Sequence, residues 1–115
     1  MNPEDLESYR RFETRSEALA AFDRIVGRAQ RTLQLFDDSG EFWRLERKVF
    51  ADAVQALLDR SRDATVTLVV HDTGYIERRC ARLLALLRRR TPRLRVLRSD
   101  TSTRGFSRGV VIADA

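Results

Sequence analysis

Residues 64–72, A-T-V-T-L-V-V-H-D, form the most strand-like segment of the chain. From Val66 to Val70 every residue is valine, leucine or threonine, and no charge appears before the end. A short apolar, β-branched run of this kind reads as a strand covered on both faces, as in a parallel sheet packed between helices. It stops at His71-Asp72, where the one histidine of the chain is followed by a carboxylate. Ligands of open α/β sheets gather beyond the carboxyl ends of the strands, which makes His71 and Asp72 the first place to look for a site.

On the N-terminal side, residues 41–60 place Phe42, Leu45, Val49, Phe50, Ala53 and Leu57 on one helical face. Trp43, Val54 and Leu58 widen that face, and Ser61-Arg62-Asp63 closes the helix. Further back, Arg31–Phe36 is a strand that leads into the turn Asp37-Asp38-Ser39-Gly40. Before it, Thr14 or Ser16 caps a helix whose stripe is Leu19, Phe22, Ile25, Val26 and Ala29. Thr14-x-x-Glu17 has capping-box spacing, and Gly27 weakens the last turn. Tyr9–Arg15 alternates poorly and reads as a short edge strand, with residues 1–8 frayed.

On the C-terminal side, Thr73-Gly74 turns the chain into a helix over residues 75–89, with Ile76, Cys80, Leu83, Leu84 and Leu87 inward. Arg78, Arg82 and Arg89 fall within about 40° of one another on its opposite face, as a solvated surface or a phosphate-facing stripe. Thr91-Pro92 blocks further helix, Leu94–Leu97 is a strand, Ser99–Ser107 is a polar loop, and Gly109–Ala113 is the last strand. Strands alternating with helices make an α/β fold with a mainly parallel sheet flanked by helices, in one domain over residues 1–115. The last strand follows a loop with no helix and is expected to run antiparallel. Asp114-Ala115 ends the chain at a strand exit, so either the domain continues or a second chain completes the sheet.

The 115 residues are 43% hydrophobic and 34% charged, enough apolar material for a core under a heavily charged surface. Net charge is +5, with residues 1–63 at −2 and residues 64–115 at +7. Such asymmetry suits an anion-binding face. All the basic residues except Lys48 are arginine, a bias that coding in a GC-rich genome would also produce. One cysteine, Cys80, rules out an internal disulfide and fits a reducing compartment. No run of 18 apolar residues exists to span a membrane, and the acidic start is unlike a signal peptide, so the expected location is cytoplasmic.

The chemistry-bearing motifs are mostly missing. One Cys and one His do not make a metal cluster, and no G-x-S-x-G elbow or glycine-rich phosphate loop is present, so no cofactor is expected. Arg104-Gly105-Phe106-Ser107-Arg108-Gly109 looks like a fragment of a phosphate loop, and its two arginines suit an anion, but a strand follows it. His71 and Asp72 are adjacent in a strand, so their side chains point to opposite faces and His71 reads as a structural residue bonding loop backbone.

The element order, L-F-D-D at 35–38, L-V-V-H-D at 68–72, R-R-C-A-R-L-L-A-L-L at 78–87 and V-V-I-A-D at 110–114 resemble one half of the phospholipase D-like fold. More narrowly they look like a bacterial domain family of unknown function, sometimes associated with N-acetyltransferase domains. Enzymes of the wider superfamily carry H-x-K-x-x-x-x-D on the closing strand. With Asp114 as the final Asp, Ser107 falls on the histidine and Gly109 on the lysine. The resemblance therefore implies the scaffold and argues against its chemistry, since a serine without a base is a weak nucleophile and glycine holds no charge. It also implies pairing of two chains, and it places any acetyltransferase activity in another domain. The leading expectation is a non-catalytic domain for interaction or regulation, with His71, Asp72, Arg104, Ser107 and Arg108 as candidate ligand contacts. The alternative is an anion- or nucleic-acid-binding module using Arg78, Arg82 and Arg89. A third reading uses His71 and Asp72 as acid and base.

Overall fold

The computed structural model describes residues 14–99 and 110–114. Helix α1 (Arg15–Arg28) leads to strand β1 (Thr32–Asp37), α2 (Lys48–Arg60) and β2 (Thr65–Val70). Two short helices, α3 (Gly74–Arg79) and α4 (Ala81–Arg90), then precede β3 (Leu94–Arg98) and β4 (Val110–Ala113). The sheet order is β3-β2-β1-β4, with β1, β2 and β3 parallel and β4 antiparallel to β1. This is the α/β architecture expected from alternating strands and helices. The last strand does run antiparallel, but it lies at the edge opposite β3 rather than beside it.

Alternation along the strands sets the core. Leu33 and Leu35 of β1 register with Val66 and Leu68 of β2, and Val66 registers with Leu94 of β3. All five are buried against α1, α2 and α4, which pack successively beside one another. Val111 and Ala113 of β4 pack on the same core. The decisive strand β2 is not covered on both faces. Val66, Leu68 and Val70 are buried, while the alternate Thr65 is exposed and Thr67 and Val69 are half-buried. The two threonines interrupt what looked like a continuous apolar run.

Thr14 caps α1 as its spacing predicts, its hydroxyl accepting the Glu17 N–H at 3.1 Å. Ala18, Ala21, Phe22 and Val26 face the core, and Ile25 turns outward. Tyr9–Arg15 is not a strand where it is described, since Thr14 is the cap and Arg15 opens the helix; the remainder of that stretch, and residues 1–8, lie outside the described residues.

Two helices depart from expectation at identifiable backbone positions. The helix expected over 41–60 begins at Lys48. Arg44 sits at φ 49 and Arg47 is extended, and neither conformation continues an α-helix. The preceding turn is nonetheless anchored. Trp43 stacks on Phe22 with centroids 4.5 Å apart, and Leu45 is buried. Val49, expected inward, is 50% exposed. Arg47 closes the start of α2 with a two-pronged bond to Asp23 of α1 at 2.9 and 2.8 Å. The helix expected over 75–89 breaks at Cys80, whose φ −109 and ψ 57 are not helical. The break shifts the phase, so that Leu83 and Leu86 become the buried pair of α4.

Candidate functional site

In this strand order the direction of sheet growth reverses at β1, with β2 and β3 on one side and β4 on the other. The carboxyl end of β1 is therefore the natural place for a crevice. Asp37 and Asp38 lie there. Asp37 shares the inward parity of Leu33 and Leu35 and is 4% exposed, the one buried charged residue among those described. Its carboxylate accepts the Gly40 N–H at 2.8 Å. Burial pushes the Asp37 carboxyl above its ordinary value, against the pull of backbone bonds from Asp38, Gly40 and Phe42. Gly40 makes the turn possible. It sits at φ +98, and a Cβ there would stand 3.0 Å from Leu45 Cδ1.

The next strand end is tied to this one. The Asp38 carbonyl accepts the N–H groups of His71 at 2.9 Å and Asp72 at 3.0 Å. His71 and Asp72 then part. His71 Nδ1 lies 2.6 Å from Ser99 Oγ, just beyond β3. The Ser99 hydroxyl is also 3.3 Å from the Val70 carbonyl, and Arg98 Nε donates to the His71 carbonyl at 3.4 Å. His71 Nε2 is buried with no hydrogen-bond partner among the described residues. Asp72 Oδ1 instead accepts the Gly74 N–H at 2.8 Å and shapes the entry to α3. The acid–base pairing of His71 with Asp72 is thus replaced by two separate structural bonds.

From α3 itself, the half-buried Tyr75 donates its hydroxyl proton to Glu46. Burial, and then that carboxylate, push the Tyr75 hydroxyl well above its ordinary value. Cys80 is buried at the helix break, and burial with Glu46 nearby pushes its thiol up to about 11. Such a thiol is packing rather than a nucleophile. Among the described residues, no group of three or more His, Cys, Asp or Glu side chains is placed to hold a metal ion.

The closing strand ends in a different kind of contact. Asp114 adopts φ 57, and its carboxylate accepts three consecutive backbone N–H groups. These come from Gln30 at 2.9 Å, Arg31 at 2.6 Å and Thr32 at 3.2 Å. The Asp114 N–H in turn donates to the Thr32 carbonyl at 2.8 Å. The bonds from Arg31 and Gln30 hold the carboxyl below its ordinary value. Asp114 thereby latches the end of β4 to the junction between α1 and β1.

The arginine stripe is rearranged by the break at Cys80. Arg82 and Arg89 stay on the outer face of α4, where Arg88 joins them, all exposed. Arg78 belongs to α3, and its guanidinium lies against Gly74, 3.0 Å from where a Cβ would be. Arg104, Ser107 and Arg108 lie outside the described residues. Sequence reasoning missed Asp37 as a buried group and Ser99 as the partner of His71. The alternation Leu33, Leu35, Asp37 carried the first signal; the second depends on parallel pairing of β2 with β3, which no local pattern encodes.

Fold and strand-end geometry together define a small α/β domain with a four-stranded mixed sheet. A family model described as Domain of unknown function (DUF7931) matches residues 14–115, and the chain belongs to that family. No curated protein and no solved structure matches it.

Proposed function

We propose that this domain is a non-catalytic interaction or regulatory module. Its scaffold is one half of a phospholipase D-like fold, and it works as a pair of chains in the bacterial cytoplasm, beside an acetyltransferase domain. The observation that carries the reading is the use of Asp114. Of the three positions aligned with the phosphodiesterase motif, only this carboxylate keeps its chemical type, and its lone pairs are taken by the amides of Gln30, Arg31 and Thr32. The other two positions are Ser107 and Gly109, which supply neither an imidazole nor a cation. His71, the one histidine of the chain, is bonded to Ser99 and to no carboxylate among the described residues. A general base needs a reachable proton as well as an orienting partner, and the other ring nitrogen of His71, Nε2, is buried with no hydrogen-bond partner among the described residues.

The test is hydrolysis of a panel of phosphodiesters by the full chain. The expected result is no turnover above buffer. Turnover that Ser107→Ala abolishes overturns the reading. The mass of the particle in solution tests the pairing, with twice the chain mass expected.

A further inference from the structure

From Arg78 to Arg98 the chain carries nine arginines and no carboxylate. The fold assigns some of them to structure. Arg90 pairs with Asp59. Arg93 donates to the carbonyls of Ala64, Leu58 and Ser61, tying the end of α2 to the start of β2. Arg98 donates to His71. Arg79, Arg82, Arg88 and Arg89 are exposed and have no hydrogen bond or ion pair among the described residues.

Three of these four share one surface. The exposed arc of α4 is Ala81, Arg82, Ala85, Arg88 and Arg89, while Leu83 and Leu86 turn to the core. Arg79 ends α3 and is separated from this helix by Cys80. The alanines leave a low floor between guanidinium groups, so an anionic chain can approach closely. Arg82 and Arg89 are two turns apart, about 10 Å along the axis. That span is close to the roughly 12 Å width of a duplex major groove, which sets phosphates of opposite strands within their reach.

We propose that the outer face of α4 binds the sugar–phosphate backbone of duplex nucleic acid without reading its base sequence. The inference rests on the interaction reading above and names the partner. Charge selects a polyanion, and the rest of the surface narrows the choice. A membrane-surface helix needs large apolar residues beside its basic ones, but the leucines of α4 are turned to the core. A single-strand site needs aromatic rings on which bases stack, and the arc has none. Guanidinium groups on a rigid helix suit phosphate oxygens.

The experiment measures binding of the full chain to a labelled mixed-sequence DNA duplex, a matching single strand and phosphatidylserine vesicles, across salt. Three phosphate contacts, one for each of Arg82, Arg88 and Arg89, predict a roughly 40-fold loss of affinity between 50 and 200 mM salt. Arg82→Glu with Arg89→Glu is expected to abolish duplex binding. Arg24→Glu with Arg62→Glu, an equal charge change at two other exposed positions, is expected to weaken it only slightly. Circular dichroism confirms that both doubles fold. Absent or salt-independent duplex binding overturns the proposal. So does equal loss in both doubles, or preferential binding to the vesicles or the single strand. Those failures leave the interaction reading standing, because that reading falls only if phosphodiester turnover is found.

Discussion

The carboxylate of Asp114 accepts the backbone N–H of Arg31 at 2.6 Å, across 83 positions of sequence. The bond joins the last strand to the first helix–strand junction. Asp114 holds a left-handed backbone conformation, which Asn and Asp tolerate better than most residues. Asp114→Asn keeps that tolerance and one acceptor but loses the charge, at a cost of about 1 kcal/mol. Asp114→Ala loses the acceptor as well as the short polar side chain that eases the left-handed conformation, for about 2–3 kcal/mol in all. Urea unfolding should rank wild type above Asn above Ala. Equal stability of all three would remove the latch.

Asp114 and Asp37 shift in opposite directions and therefore act in opposite pH windows. The Asp114 carboxyl lies below 3.8 in the fold, so its stabilisation is present above 3.8 and lost as pH falls through the folded value. The Asp37 carboxyl lies above 3.8, so its contribution is full below 3.8 and lost as pH rises through the folded value. Asp37→Asn should accordingly gain on wild type as pH climbs from 4 to 7. Unfolding curves of the pair at several pH values measure this; a constant difference contradicts it.

Much of this was readable from residues 64–72 and their neighbours. The cap at Thr14 and the alternation of strands with helices follow from local patterns, because hydrophobic periodicity and side-chain hydrogen bonds act over a few residues; the burial of Asp37 by the parity of β1 was missed. The breaks at Arg44 and Cys80 were not readable. Neither residue is a helix breaker, and each adopts its conformation where tertiary contacts on either side fix the chain. His71 was correctly located at a strand end, but its partner Ser99 lies 28 residues away on a neighbouring strand end.

Phe22 stacks on Trp43 at 4.5 Å and on Phe50 at 5.8 Å, so it joins α1, the turn after β1 and α2. Phe22→Ala should cost about 3–5 kcal/mol. The Trp43 indole N–H is buried without a partner among the described residues, so Trp43→Phe removes an unsatisfied donor along with packing. Its cost should stay near 1 kcal/mol or below. Denaturation followed by circular dichroism compares the two.

Gly40→Ala places a methyl group at φ +98 and 3.0 Å from Leu45 Cδ1. About 1–3 kcal/mol of destabilisation follows from the strained backbone. The same substitution at Gly27, which has nothing within 4 Å of its Cβ position and lies inside α1, should stabilise by about 0.5–1 kcal/mol. Thermal melts of both variants should move in opposite directions, and melts moving together would contradict the backbone account.

The most direct measurement is the rate at which the full chain hydrolyses an activated phosphodiester such as bis(4-nitrophenyl) phosphate, alongside His71→Ala and Ser107→Ala. All three proteins are expected to match the buffer rate. A wild-type rate above buffer that either substitution removes would contradict the non-catalytic reading.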